Sequence, residues 1–229
     1  MVLLICLIFT LLYPEIGTIA ANSFSQEYGI AWNYIHHLVQ FALALLTILV
    51  LVLFKFRESF SAFGFNLKNK KWSLKVVRDF AIGWIIITVL LNLIFKFKNQ
   101  ISFEPTIFSV AASLFFDFVV TPLSEETLFR GLIYTSLFYY FPGKLQIGKS
   151  TVSFAVLIST LFFSLAHIGI DYHTFKIVYI DYLQLAFTVG LGLFYAIMLE
   201  KSRSLLGPML AHGVSDGVIK IVQLAMLNL

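Results

Sequence analysis

A chain of 229 residues in which 59% are hydrophobic and only 12% charged, with a mean hydropathy of +0.91, is not a soluble domain. Soluble domains carry roughly 25% charged residues. The formal net charge of +4 is spread by membrane topology rather than gathered into a nucleic-acid-binding face, and the lone Cys6 allows no internal disulfide.

In chain order, residues 2–13 are apolar but short for a span, and Pro14 and Glu15 follow. Small residues near Ala20 and Ala21 suggest a secretory leader, but the positive amino-terminal region of such leaders is missing, so a retained helix is expected. Residues 31–54, 80–95, 150–170 and 182–199 contain no Asp, Glu, Lys or Arg. A bilayer core of about 30 Å needs about 20 apolar helical residues, and these four segments are read as transmembrane helices. Residues 106–141 are long enough to span but hold Asp117, Thr121, Pro122, Glu125, Glu126 and Arg130. Thr121-Pro122 suggests a local break or the start of a helix. Residues 204–229 hold His212, Asp216 and Lys220. The fold class expected is therefore all-α, a polytopic transmembrane bundle of about seven spans.

The basic residues set an orientation. Lys55, Arg57, Lys68, Lys70, Lys71, Lys75, Arg78, Lys144, Lys149, Lys201 and Arg203 fall in one set of alternate connections, against Lys96, Lys98 and Lys176 in the other, eleven to three. By the positive-inside rule this puts the N-terminus in the cytoplasm, in a plasma membrane read as bacterial. The polar stretch 56–75, with Gly64 and the run Lys68-Asn69-Lys70-Lys71, reads as a topology anchor touching anionic lipid. There is no internal repeat and no second folded unit, so residues 1–229 are taken as a single membrane domain. His36 and His37, beside Trp32 and Tyr34, read as an aromatic belt, and His173 as a residue of a polar connection.

Ionisable groups inside spans cost a few kcal/mol or more and mark functional sites by default. Glu126 and Arg130, in PLSEETLFRG, are four apart and share a helix face, so they can pair. Glu125 points about 100° away, without a partner at helical spacing, and is free to act as a general base. His167 closes FFSLAH, and His212 and Asp216 in AHGVSDG are again four apart. Turning Glu125, His167 and His212 toward one partly hydrated cavity gives two ways to activate water. They can hold a zinc, or Glu125 can take the proton while histidines orient the water and stabilise the oxyanion. Asp117, eight residues before Glu125, could line the cavity mouth. No GxSxG, HExxH or Gly-rich phosphate loop is present.

Glu125-Glu126-x-x-x-Arg130, Phe163-x-x-x-His167 and His212-x-x-x-Asp216, in that order on consecutive apolar segments, resemble the CAAX protease and bacteriocin-processing family (CPBP, or Abi) of intramembrane proteases. Gly131 and the approach LGPMLAH before His212 are similar as well. The resemblance implies a catalytic core over residues 106–217 and an intramembrane endopeptidase, of glutamic or metallo type. Its substrate would be a membrane-associated peptide or protein, with roles in peptide maturation or bacteriocin self-immunity. It implies that Glu125 activates water with His167, that His212 and Asp216 stabilise the oxyanion, and that Glu126 and Arg130 shape the site. Zinc, with Glu125, His167 and His212 as candidate ligands, stays open beside a metal-free route. The family's last motif often ends in Asn; here it ends in Asp216, which as a carboxylate cannot donate to an oxyanion. It must be protonated, orient His212, or serve a metal.

A depth conflict follows. If 150–170 crosses fully, His167 lies near one end of it while His212 lies well inside the last span. They meet only if the fifth helix starts deeper or ends mid-membrane, which Gly169 and residues 171–173 permit. Two rivals share the composition. A non-catalytic immunity or scaffold protein of the same fold would keep its function without Glu125. An ion-coupled transporter would carry inverted sequence symmetry, which is not seen. Peptide substrate and membrane lipid are the expected partners, with no nucleic acid.

Overall fold

The computed structural model describes residues 1–25, 29–54, 59–95, 104–148, 150–171, 174 and 176–226. Lys55, Arg57, Lys96, Lys98, Lys149 and His173, which entered the sequence reading, lie outside the described residues.

Among the described residues the chain forms seven helices: α1 (Val2–Phe24), α2 (Ile30–Leu53), α3 (Lys70–Phe95), α4 (Ile107–Tyr140), α5 (Phe154–Leu165), α6 (Tyr182–Ser202) and α7 (Leu206–Ala225). Five of them, α1, α2, α3, α4 and α6, are long and apolar enough to cross a bilayer, and the chain is an integral membrane protein. The expected number of helices is present, but two differ from full apolar spans. α7 has 20 residues but carries His212, Asp216 and Lys220. α5 has only 12 residues, about 18 Å of helix, too short for a core of about 30 Å.

The shortening of α5 has local causes. Residues read as its first turn form a strand instead: β2 (Ser150–Ser153) pairs antiparallel with β1 (Lys144–Ile147), rich in β-branched Ile147, Thr151 and Val152. Ser153 then caps the helix, its hydroxyl accepting from the Val156 N–H. At the far end α5 stops at Leu165, and the chain turns into β3 (Gly169–Asp171), paired with β4 (Lys176–Tyr179). His167 thus follows a helix that ends part-way, which resolves the depth conflict.

α1 is longer than expected and runs through Pro14 to Phe24. It packs antiparallel on α2. The Tyr13 and Thr47 hydroxyls are 2.5 Å apart, Trp32 donates to Asn22 Oδ1 at 2.7 Å, and Gly17 lets α1 lie against the His36 carbonyl.

α4 is continuous through Pro122, where a break was expected. Its first π segment, Phe116–Val120, widens the turn so that the Thr121 N–H reaches the Phe116 carbonyl, five residues back. The ladder thereby changes register just before Pro122, which has no N–H to give. A second π segment, Thr127–Tyr134, carries Arg130. These wide turns re-aim successive side chains, so Asp117, Thr121 and Glu125 face one side while Arg130 is directed inward.

The ends of the bundle differ in charge. Asn66 donates to the Arg203 carbonyl at 2.8 Å, Asn69 to the Ser202 carbonyl at 3.2 Å, and the Arg203 guanidinium lies over the Phe138 ring at 4.5 Å. The connections after α2, α4 and α6, which carry Lys68, Lys144 and Arg203, therefore meet at one end.

α7 is fixed against α3 by the Trp84 indole N–H, which donates to the Ser215 carbonyl at 3.0 Å. It meets α4 even more closely. A Cβ added at Gly213 would run into the Phe118 carbonyl, and one at Gly217 into the Phe118 ring. Gly213→Ala should therefore lower stability by about 1–3 kcal/mol, read as a drop in the unfolding temperature of the purified protein in detergent.

Candidate active site

A cavity of about 600 Å³ opens between α2, α4, α6, α7 and the end of α5. Its polar lining includes His37, Asp117, Thr121, Glu125, His167, His212 and Asp216, and its apolar lining includes Trp84, Phe163 and Tyr195. Of the residues singled out in the sequence, Glu125, His167, His212 and Asp216 line the cavity, while Glu126 and Arg130 lie fully buried behind it.

The Glu126–Arg130 pair expected from their spacing is present, with Arg130 Nη1 3.1 Å from Glu126 Oε1. The same Glu126 oxygen accepts from His212 Nδ1 at 2.7 Å, a contact between α4 and α7 that spacing could not reveal. Arg130 Nη2 donates to the Gly192 carbonyl at 3.0 Å, and its guanidinium stands 4.2 Å from the Phe163 ring centre and 5.4 Å from that of Tyr195. One buried cation thus ties α4 to α5 and α6, and through Glu126 to α7.

His212 is held on every side. Tyr195 stacks on its ring at 5.1 Å, and Phe163 meets it edge-on at 6.0 Å. Below it, the Tyr195 and Ser215 hydroxyls are 2.7 Å apart and Ser215 donates to the His212 carbonyl at 2.7 Å. With Nδ1 committed to Glu126, Nε2 faces the cavity, 3.2 Å from Asp216 Oδ2 and 3.8 Å from Glu125 Oε2. Of the three roles open to Asp216, this places its carboxylate against His212.

Glu125 differs from its neighbour. Its side chain is 13% exposed, toward the cavity, and Oε2 has no hydrogen-bond partner. His167 is set by its own helix end: Nδ1 and the Phe163 carbonyl are 2.8 Å apart, so Nδ1–H donates and Nε2 is left for a ligand. Phe163 packs against His167, His212, Arg130 and Phe129 at once.

Two lining residues were read otherwise or only faintly from sequence. His37 is a wall of the cavity rather than part of an aromatic belt. Its ring meets Phe116 edge-on at 5.1 Å, and Nδ1 is buried without a partner. The signal for it lay in the buried residues Gln40, Ala44 and Ile48, which continue its stripe along α2. Asp117 lines the cavity, with Oδ2 3.8 Å from Lys220 Nζ.

The zinc alternative does not fit this arrangement. Among the described residues no three His, Cys, Asp or Glu side chains converge as a ligand set. Both ring nitrogens of His212 already face carboxylate oxygens.

The geometry is that of a cavity lined by carboxylates and imidazoles within an apolar helix bundle. The family model for type II CAAX prenyl endopeptidases, Rce1-like, matches residues 107–218, and this stretch of the chain is similar to that family. The match begins at the start of α4 and ends within α7, so it contains all three motifs. Among curated proteins and among solved structures, nothing matches.

Removing Arg130 would leave Glu126 buried without its cation. Arg130→Met should destabilise the protein by about 3–5 kcal/mol, measured as thermal unfolding in detergent, with the more exposed Arg78→Met as the neutral comparison.

Proposed function

We propose that the protein is an intramembrane endopeptidase that hydrolyses a peptide bond of a membrane-associated peptide or protein through a Glu125-activated water. The observation that carries this reading is the division of labour between adjacent carboxylates. Glu126 is committed to Arg130 and His212, whereas Glu125 faces the cavity with an oxygen free.

In this reading water sits between Glu125 and His167 Nε2. Glu125 takes one water proton as the oxygen attacks the scissile carbonyl carbon. The developing oxyanion is met by the Nε2 side of His212, whose ring is preorganised by Glu126, Tyr195 and Phe163. The C–N bond then breaks, and Glu125 passes its proton to the departing amine. Asp216 keeps His212 oriented until substrate arrives. The catalytic core is residues 106–217 of one membrane domain. The basic end of the bundle, and with it the N-terminus, faces the cytoplasm of a bacterial cell. Peptide maturation and bacteriocin self-immunity are the processes that such a site serves best.

The test is cleavage of a fluorogenic membrane peptide by the purified protein in detergent. Glu125→Gln should reduce the rate by at least about 10³-fold, since it removes the base while keeping the shape. A strong zinc chelator should leave the wild-type rate unchanged. Full activity in Glu125→Gln would overturn the assignment, and loss of activity on chelation would restore the metal route. Asp216→Asn, which keeps the contact to His212 and can donate, should retain activity within about tenfold. Asp216→Ala should lose more than that.

A further inference from the structure

A second cavity, of about 260 Å³, lies at the basic end of the bundle and takes no part in the proposed hydrolysis. It is enclosed by the short 3₁₀ turn Phe60–Phe63 with Gly64, by Lys68, by Tyr134, Thr135 and Phe138 of α4, and by Leu199 and Arg203 at the end of α6. Lys68 and Arg203 both line it, and no carboxylate does.

Three features single it out from a mere basic surface. Arg203 holds a left-handed backbone conformation, φ 59°, which costs conformational energy in any residue but glycine. The helix end would accept Gly there, yet the position carries a guanidinium, held over Phe138 at 4.5 Å. Tyr134 is 3% exposed, and its hydroxyl makes no hydrogen bond. Ser153, the hydroxyl beside it, donates instead to Glu200 Oε2 at 2.8 Å. The Glu200 carboxylate near Tyr134 is taken up by Ser153, and a buried O–H donor left open in a cavity lined by Lys68 and Arg203 asks for an acceptor that carries negative charge.

We propose that this cavity is a binding site for a phosphate group, supplied by the headgroup of an anionic membrane lipid or by a free phosphate. Lys68 and Arg203 neutralise the charge, and the Tyr134 hydroxyl donates to one phosphate oxygen. The exposed Lys70, Lys71 and Lys201 at the same end draw anions toward it. The bound phosphate would bridge α4, α6 and the turn after α2, adding to the hydrogen bonds that already join that turn to the end of α6.

The full chain in detergent, followed by thermal unfolding, tests this with three probes: phosphatidylglycerol, the zwitterionic phosphatidylcholine and inorganic phosphate. Phosphatidylglycerol should raise the unfolding temperature by several degrees at saturation, and phosphatidylcholine should not. A matching rise with inorganic phosphate identifies a free anion as the source; its absence identifies the lipid. Arg203→Gly suits the left-handed backbone, so it should fold normally. It should weaken binding roughly tenfold or more, and so should Lys68→Gln. The proposal is overturned if phosphatidylglycerol and inorganic phosphate both leave the unfolding temperature unchanged, if phosphatidylcholine raises it equally, or if both variants respond as wild type does.

Discussion

Arg130 and Glu126 are both fully buried inside a bundle whose core is largely apolar. Taking such charges out of water costs several kcal/mol each, and only close geometry with further hydrogen bonds offsets it. Here the offset comes from four different helices. Glu126 supplies the counter-charge on α4, His212 a donor from α7, Gly192 an acceptor from α6, and Phe163 an aromatic face from α5. None of these helices can shift without exposing an unpaired charge to hydrocarbon. The network therefore sets the relative placement of the helices that line the cavity, and Glu125, His167 and Asp216 inherit their positions from it.

This arrangement explains why two glutamates stand side by side in an apolar helix. The wide turns of α4 on either side of Thr121–Glu126 let the inward stripe change direction within a few residues. Glu126 then points into the packed interior and Glu125 into the cavity. Glycines at 213 and 217 bring α7 so near to Phe118 that His212 reaches across to α4. Chemistry proposed for Glu125 thus rests on a neighbour committed to Arg130 and His212.

Much of the site could be read from spacing because the α-helical period dictates it. Residues four apart must meet, and Glu126–Arg130 and His212–Asp216 do. The resemblance to a protease family, carried by those motifs, agrees with the family match over residues 107–218. What escaped was whatever depended on contacts between distant segments. The Glu126–His212 bond spans 86 positions, and His37 reaches the cavity from a helix that bears no motif. Segment lengths were also misjudged where apolarity hides a change of structure. Thr151 and Val152 look like membrane helix but lie in a strand, and Pro14 looks like a stop but sits inside α1.

The short α5 has a further consequence. Its inner face is packed, but Leu161 on the outside is 62% exposed and meets the surrounding lipid. A lipid-facing segment about 12 Å shorter than the hydrocarbon thickness produces negative hydrophobic mismatch, which the bilayer relieves by thinning beside it. Headgroups and their water are then drawn down toward the level of His167. A substrate segment approaching along this flank would leave the hydrocarbon before it reached the cavity, its backbone already partly hydrated. The protein would thus thin the membrane on the flank where the cavity lies.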